Sequence, residues 1–535
     1  MKKTGHDRSQ IQMWSLESAV GEFSLVRLVD TFVDMLEMEA LGFEIKGQQQ
    51  SGAPAYECAD LLKLYYYGYL NRVRSSRRLE REALTNVEAM WLLRGLKPGY
   101  KTIANFRKDN PKALNNAFYE LNKFLKGADL FDEDRVSIDG SKYRAQNSKK
   151  NNYNEKKVNQ HLDYINNQTR EYLEELDRLD QSEDETDSEL EQRVEMADQL
   201  DRLAQRKNKY KALKKQLEQA REEGETQVCT VDPDARALPK KMNIVQVGYN
   251  VLTAAEMKNK LITNFELSNK SDTYALSVMA LAARKVLGKK QGEKLTALAD
   301  KGFDTGSELK TCSENDIETL VSPKNRANTK QDKQFNKDQF DYDLETDTYT
   351  CPEGQLLKSN QKWYTKTNGK HRRAIKSKHY KVPFAICNAC PHKLKCVGES
   401  NLNNSKGRYI SRSEYQQYID DNIERVRLNK ELYRKRQQTV EHQFGTIKRQ
   451  WGYDYTLLKT KEKVKAEFAI IFTVYNLRRA VSILGLNELI RRLKASFFGS
   501  WKLSCSVAHH FTIQNRRFHT GSQYTLMNPR FFNVF

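Results

Sequence analysis

Three acids and a group of thiols have the types and spacing that suit chemistry in this chain. Asp139 closes the apolar run VSID and is followed by Gly140; Asp300 closes LTALAD, with Gly302 two positions on. A carboxylate at the end of an apolar strand stands at a sheet edge, facing a crevice. A glycine beside it lets a ligand or another backbone approach. Taken alone, each aspartate reads first as a turn initiator. Glu441 lies in TVEHQFGTIKRQWGY, where Arg434, Gln437, Gln438, Phe444, Gly445 and Lys448 share its helical face. Alone it reads as a solvated charge. Gly445 changes that reading, because glycine inside a helix costs roughly 1 kcal/mol against alanine and suggests close approach there. Two strand-end carboxylates and one helical carboxylate supply oxygen donors for a divalent cation, and Mg²⁺ usually binds through a few carboxylates plus substrate phosphate. A pair of such ions about 3.5–4 Å apart activates the attacking oxygen and stabilises the leaving one in phosphodiester chemistry.

The sequence CNACPHKLKC brings Cys387, Cys390 and Cys396 together, with Cys351 upstream in TCPEG. CxxC spacing lets two thiolates share one tetrahedral ion, so a structural Zn²⁺ is expected, with His392 as an alternative ligand. Reduced thiols in a small β subdomain are the competing reading. Cys58, Cys229, Cys312 and Cys505 are scattered and read as buried thiols of a reducing compartment.

The formal net charge is +20 over 535 residues. Such an excess points to a polyanionic partner, most simply nucleic acid. Three stretches, HRRAIKSKHYK, ERVRLNKELYRKR and KRQWGYDYTLLKTKEK, mix cations with aromatics. Lys and Arg neutralise phosphates and aromatic rings stack on unpaired bases, which makes Arg449 and Trp451 candidate DNA contacts. Near the N-terminus, a Pro-Gly turn separates a helical stretch from a short helix bearing Thr102, Asn105, Arg107 and Lys108. That pattern is compatible with a helix-turn-helix, with Arg107 and Lys108 as DNA contacts. The most apolar run, FAIIFTVYNL, is too short and too closely flanked by charge to span a bilayer. The basic N-terminus lacks the apolar core of a signal peptide. A soluble, cytoplasmic chain without a membrane partner is expected.

The elements that must position these residues fall into seven expected segments. Residues 1–130 are a helical, DNA-binding N-terminal domain. An α/β core starts over 131–160 with the strand RVSIDGSKYRA. Two long charged helices over 161–228 form a coiled-coil hairpin insertion. The core continues over 229–328 as two strands, a helix capped by Ser271 or Asp272, a strand, a short helix and a strand. That order makes a mixed sheet. A basic, Cys-containing, β-rich insertion covers 329–425, the last helices of the core cover 426–485, and a basic tail covers 486–535.

Three stretches together, RVSIDGSKYRAQNSKKNNYN, LADKGFDTG and YRKRQQTVEHQFGTIKRQWGY, resemble the DDE transposases of bacterial insertion sequences. The resemblance is to insertion-sequence family eleven-eighty-two, and the segment from YECADLLKLYYYGYL to IANFRKDN looks like its InsH-type N-terminal domain. It runs from about residue 20 to about residue 485. It implies an RNase H-like catalytic core with Asp139, Asp300 and Glu441 as the metal-binding triad. It implies Mg²⁺, or Mn²⁺ in its place, and cutting at transposon ends followed by attack of a 3′-hydroxyl on target DNA. It also implies double-stranded DNA as partner, in the bacterial nucleoid, and at least a homodimer to pair two ends. Tyr433, Arg436, Glu441 and Lys448 are the nearest match to a helix signature of related transposases, with the interval from Arg436 to Glu441 one residue longer. Two other functions fit the same residues: a DNA-binding remnant that has lost cutting activity, and a metal nuclease that cuts without joining.

Overall fold

The computed structural model describes residues 9, 13–44, 55–132, 134–180, 187–239, 245–324, 332–366, 374–398 and 407–496. Cys505, most of the basic tail, the acidic break at 181–186 and the HRR opening HRRAIKSKHYK lie outside them. Two compact units divide the chain: Met1–Ile103 with Ala480–Phe535, and Ala104–Arg479.

The first unit is helical. It holds α1 (Leu16–Ala19), α2 (Leu25–Asp34), α3 (Met38–Leu41), α4 (Cys58–Leu70), α5 (Ser76–Thr85) and α6 (Val87–Leu92). In α2, apolar spacing buries Val26, Leu28, Val29, Phe32 and Val33, and the Ser24 hydroxyl caps the N-terminus by accepting from Val26 N at 3.2 Å. The run ADLLKLYYYGYLNRVRSSRRLEREAL forms two helices rather than one continuous helix. Arg72 adopts a left-handed φ of 62° between α4 and α5. Gly68 permits the turn: a Cβ there would overlap Leu79 Cδ2 and lie 2.6 Å from the Val73 carbonyl oxygen. Of the arginines in this run, Arg74 is buried rather than exposed.

After α7 (Tyr100–Asp109) and α8 (Pro111–Gly127) comes the first strand of the core, β1 (Arg135–Arg144). The chain then leaves the sheet through β2 (Asn152–Tyr153), α9 (Glu155–Asp180), α10 (Asp187–Glu222) and β3 (Val228–Cys229). The two long helices bury Val158, Ile165, Leu203, Tyr210, Leu213 and Leu217 between them. At their base β2 and β3 pair, so the pair of helices is closed by its own short ladder.

The core resumes with β4 (Arg236–Pro239), β5 (Val245–Glu256), β6 (Ile262–Ser268), α11 (Leu276–Leu287), β7 (Leu295–Ala299), α12 (Gly306–Ser313) and β8 (Ile317–Val321). Strand β5 runs antiparallel to β1 and to β6, while β1, β7 and β8 are parallel. Taken without β4, the five strands stand third, second, first, fourth, fifth across the sheet. This mixed sheet, in a chain that starts with a helical region, is consistent with an RNase H-like core. Gly248 on β5 has no room for a side chain, because a Cβ would strike the Tyr143 carbonyl of β1.

The stretch that follows folds as an antiparallel sheet. It consists of β9 (Asp341–Asp343), β10 (Thr348–Thr350), β11 (Leu356–Ser359), β12 (Tyr364–Lys366) and β13 (Ile375–Lys381), then α13 (Phe384–Ala389), α14 (Lys393–Val397) and β14 (Tyr409–Ser413). Its small core is Phe340, Tyr349, Leu357, Tyr380 and Ile410. Asp347 ties its strands together, accepting hydrogen bonds from Tyr380, Lys378, Gln361 and Tyr342 at 2.5–2.9 Å. Burial works against that charge, but these donors hold the carboxyl below the usual carboxylate range.

Three helices complete the core: α15 (Gln416–Leu428), α16 (Lys430–Phe444) and α17 (Lys461–Leu484), with a π-helical turn over Gly445–Gln450. Buried asparagines on two of them pair with strand backbone. Asn422 of α15 accepts from Val321 N at 3.0 Å and donates to its carbonyl at 2.8 Å, and Asn476 of α17 does the same to Ile262 at 2.9 Å each. Each amide acts as an extra strand on β8 and β6, where the backbone would otherwise be unpaired. No single helix among the described residues is long and apolar enough to cross a membrane.

Candidate active site

Asp139 does not end its strand, as the sequence suggested: β1 continues five residues further, to Arg144. What ends at this point is its parallel partner. Pairing of β1 with β7 stops at Ile138 and Ala299, so Asp139 and Asp300 are the next residues on two neighbouring parallel strands. Adjacent strands lie about 4.8 Å apart, and neighbouring positions share a face. Asp300 is also the turn initiator that its sequence allows, since its carboxylate accepts from Gly302 N at 2.7 Å. Asp139 accepts from Gly140 N at 2.9 Å.

Burial pushes the Asp139 carboxyl up to about 6, with the charges of Asp300 and Asp272 adding to the effect and Arg436 and the Gly140 amide opposing it. The shift fixes the sign of a pH effect. The fold favours protonated Asp139, so its contribution to stability is complete below the unfolded value near 4 and is lost as pH rises through 6. With divalent cations chelated, Asp139→Asn is expected to raise the melting temperature at pH 8 and to change it little at pH 4. The upper limit of the effect is roughly 3 kcal/mol. Thermal melts of both proteins at the two pH values check this.

A third carboxylate borders the same space, and sequence reasoning missed its place. Asp272 reads as a helix cap, yet the N-cap of α11 is Ala275, with no side-chain capping bond. Asp272 instead accepts from Asn250 Nδ2 at 2.6 Å. A Cβ on Gly140 would overlap Asp272 Oδ1, and one on Gly302 would lie 2.8 Å from Asp300 Oδ1 and 3.5 Å from Asp272 Oδ2. Gly140 thus leaves room for Asp272, and Gly302 leaves room for the carboxylate of Asp300. Burial and the Asp300 charge raise its pKa, against the Asn250 hydrogen bond. Two sequence signals pointed there: an acid a few residues beyond β6, as Asp300 follows β7, and a lone Asn250 inside an apolar strand. The oxygen Oδ1 of Asn250 is buried without a hydrogen-bond partner, as is Oγ1 of Thr253, which faces Asp139 across the β1–β5 ladder.

Glu441 stands on α16, the helix that packs on this end of the sheet. Its carboxylate is exposed and accepts from Gln437 Nε2 at 2.7 Å. The opposite face of α16, with Thr439, Val440 and Gln443, is the buried one. Gly445 has open space around it, so close approach does not explain it. It begins the π-helical turn, and widening the helix there changes the register between Glu441 and Lys448. Lys448 Nζ donates to Ser141 Oγ at 2.6 Å and to the Lys142 carbonyl at 2.7 Å, and lies 4.0 Å from the Tyr143 ring centre. Tyr433 donates to the Ala299 carbonyl at 3.2 Å, directly before Asp300. Arg436 lies 5.7 Å from the Tyr433 ring centre, and its Nε and one terminal nitrogen are buried without partners. These side chains of α16 and its extension therefore attach to the strands that carry the two aspartates.

Two expected DNA contacts are core residues. Trp451 is 5% exposed and packs edge-on against Tyr453 and Tyr475, because the chain turns inward after the π-helical segment. Arg107 is 6% exposed, on the inner side of α7. Arg449 and Lys108 are exposed, with Lys108 3.4 Å from Asp109.

Among the described residues, no group of three or more His, Cys, Asp or Glu side chains is spaced as metal ligands. The donor chemistry of Asp139, Asp272 and Asp300 nevertheless suits a hard cation, since all their donors are oxygens and two buried oxygens beside them lack partners. In the second sheet, Cys351, Cys387, Cys390 and Cys396 border one cavity of about 50 Å³. Backbone amides of Gln355 and Arg408 donate to the sulfurs of Cys351 and Cys387, both at 3.4 Å. Burial raises the Cys396 thiol to about 11, with the other three cysteines adding to the effect and Arg408 opposing it. His392 faces Glu353 at 3.7 Å.

Residues 350–481 match the family described as "Transposase DDE domain", a span that includes Glu441 and the four cysteines but neither Asp139 nor Asp300. The chain thus carries the DDE domain of transposases, enzymes that cleave and transfer DNA strands. Its N-terminal part, residues 14–109, matches a second transposase family, "Transposase domain (DUF772)". Together the two matches support a DDE transposase with a DUF772 N-terminal domain. No curated protein matches the chain significantly. One solved structure, titled "Cryo-EM structure of piggyBac transposase synaptic complex with hairpin DNA", aligns at 9% identity over 88% of this chain and 80% of that one. Its TM-score of 0.31 is too low to bear on the fold.

Proposed function

We propose that this chain is the transposase of a bacterial insertion sequence, which binds the transposon ends and catalyses their cleavage and strand transfer through Asp139, Asp300 and Glu441. The observation that carries this reading is the adjacency of Asp139 and Asp300 where the β1–β7 pairing stops, beside the helix bearing Glu441. A bound Mg²⁺ or Mn²⁺ would supply Lewis-acid activation of water or a 3′-hydroxyl and charge neutralisation at the phosphate. Asp139 and Asp300 would hold it from the sheet. Glu441 would join them from α16 by exchanging its bond to Gln437 for the cation. Arg436, with unpaired nitrogens near Asp139, offers positive charge to a phosphate, and Lys448 and Tyr433 hold α16 on its strands. Exposed Arg449 and Lys108 are further candidate DNA contacts. The helical N-terminal domain over 1–130 would read the ends, and the coiled-coil hairpin over 161–228 would serve assembly of at least a dimer on DNA. The test is purified protein with Mg²⁺ on duplex DNA carrying the element's own ends, scored for cleavage and for joining. Cleavage without joining would leave the nuclease reading in its place.

We further propose that the four cysteines hold a structural Zn²⁺. Soft thiolate donors and CxxC spacing fit that ion, and the amide donors to two sulfurs favour thiolates over thiols. Purified chain is expected to contain about one zinc per molecule. Cys387→Ser with Cys390→Ser is expected to lose the zinc and lower the melting temperature. Elemental analysis showing no zinc in folded protein would contradict this.

A further inference from the structure

Among the described residues, the small core of the second sheet lies against one face of it. Residues opposite each other on paired strands share a face, and neighbours along a strand alternate. Tyr380 and Ile410 are such a pair, and both are in the small core. The other face therefore carries His379 and Lys381 of β13, Tyr364 of β12, Lys358 of β11 and Tyr409 of β14.

Three rings cross this face on three strands. Tyr364 stacks on His379 with ring centres 4.8 Å apart and planes 13° apart, and His379 lies 5.4 Å from Tyr409. Tyr364 is 41% exposed and Tyr409 50%. Cross-strand ring pairs stabilise a sheet on their own account, so the rings alone need no ligand. The lysines beside them are different. Lys358 and Lys381 are direct cross-strand partners, both exposed, and among the described residues neither side chain has a hydrogen bond or ion pair. Like charges directly opposite destabilise a sheet, so this pair works against the fold unless an anion lies over it. Lys381 is also the cross-strand partner of Tyr409, which sets cation and ring side by side.

We infer that this face is a platform for an unpaired DNA strand, with Tyr364, His379 and Tyr409 stacking on bases and Lys358 and Lys381 taking phosphate. The inference rests on the transposase reading for the choice of DNA. Alternating phosphate and base is the ligand that meets both features at once, and the net charge of +20 suits it. Cleaving and joining strands at transposon ends exposes such unpaired segments.

The test is fluorescence anisotropy of a labelled oligothymidine with the full chain. Tyr364→Ala with Tyr409→Ala is expected to weaken binding about 10-fold or more, and Tyr364→Phe with Tyr409→Phe to retain it, because phenyl rings still stack. Lys358→Ala with Lys381→Ala is expected to weaken binding and flatten its dependence on salt. Melting temperatures separate these outcomes from unfolding, and rescue by phenylalanine separates them from a hydroxyl contact. Binding by the alanine pair within twofold of wild type, no binding by wild type, or preference for oligouridine would each overturn the proposal. Asp139→Asn and Asp300→Asn serve to separate this proposal from the active-site reading. If those two variants cleave DNA normally while the alanine pair loses the single strand, the active-site reading falls and the platform stands.

Discussion

Asp139→Asn and Asp300→Asn are each expected to abolish Mg²⁺-dependent cleavage of end DNA, by about 1,000-fold or more, without loss of the folded state. The size follows from what the carboxylates do. Asparagine keeps the shape of the side chain but removes the negative charge and one anionic oxygen, and cation binding needs both. Folding is expected to survive because neither carboxylate supports the core. Asp139 is a net burden when ionised, as its raised pKa indicates, and Asp300 bonds only to the turn it begins. The Gly302 amide keeps an acceptor in the asparagine oxygen. Circular dichroism of the variants separates lost chemistry from lost structure. Glu441→Gln is expected to be as severe in cleavage, since the proposed triad would act as one unit.

Asn476→Leu is expected to produce the largest loss of stability of any single substitution considered. The Asn476 amide accepts from Ile262 N and donates to both the Ile262 carbonyl and Asn122 Oδ1, all at 2.9–3.0 Å and all buried. Leucine has nearly the same volume and fills the site, but it leaves the Ile262 amide and the Asn122 oxygen without partners. Each buried polar group so orphaned costs about 1–3 kcal/mol, which makes a loss of roughly 3 kcal/mol or more. The midpoint of urea unfolding, compared at equal slope, measures it. An unchanged midpoint would mean that water replaces the amide at the strand edge.

Much of the core was legible because its signals are local. Strand β5 is rich in apolar residues, α17 begins and ends where its periodicity does, and Asp300, the acid after β7, marks the sheet edge. Register was not legible. VSID looks like a strand that ends at Asp139, and only the pairing shows that the neighbour ends there while β1 goes on. The π-helical turn after Phe444 has the composition of an ordinary helix, so Gly445 invited an explanation by close approach that open space around it removes. Trp451 and Arg107 look like DNA contacts in sequence, yet both are buried. A cation or ring in a basic segment looks like a DNA contact, whereas its burial depends on which way the chain turns afterwards. Asp272 was overlooked for the opposite reason: a polar residue before an apolar helix has an adequate local explanation as a cap. Its true neighbours, Asn250 and Gly140, lie on other strands and only the fold brings them to it.

The central claim is that Asp139, Asp300 and Glu441 act together on DNA. Its most direct test is the cleavage and joining of duplex DNA bearing the element's ends, with Mg²⁺, by wild type and by Asp139→Asn, Asp300→Asn and Glu441→Gln singly. The account predicts cleavage and strand joining by wild type and neither by any of the three variants; full activity in any one of them would contradict it.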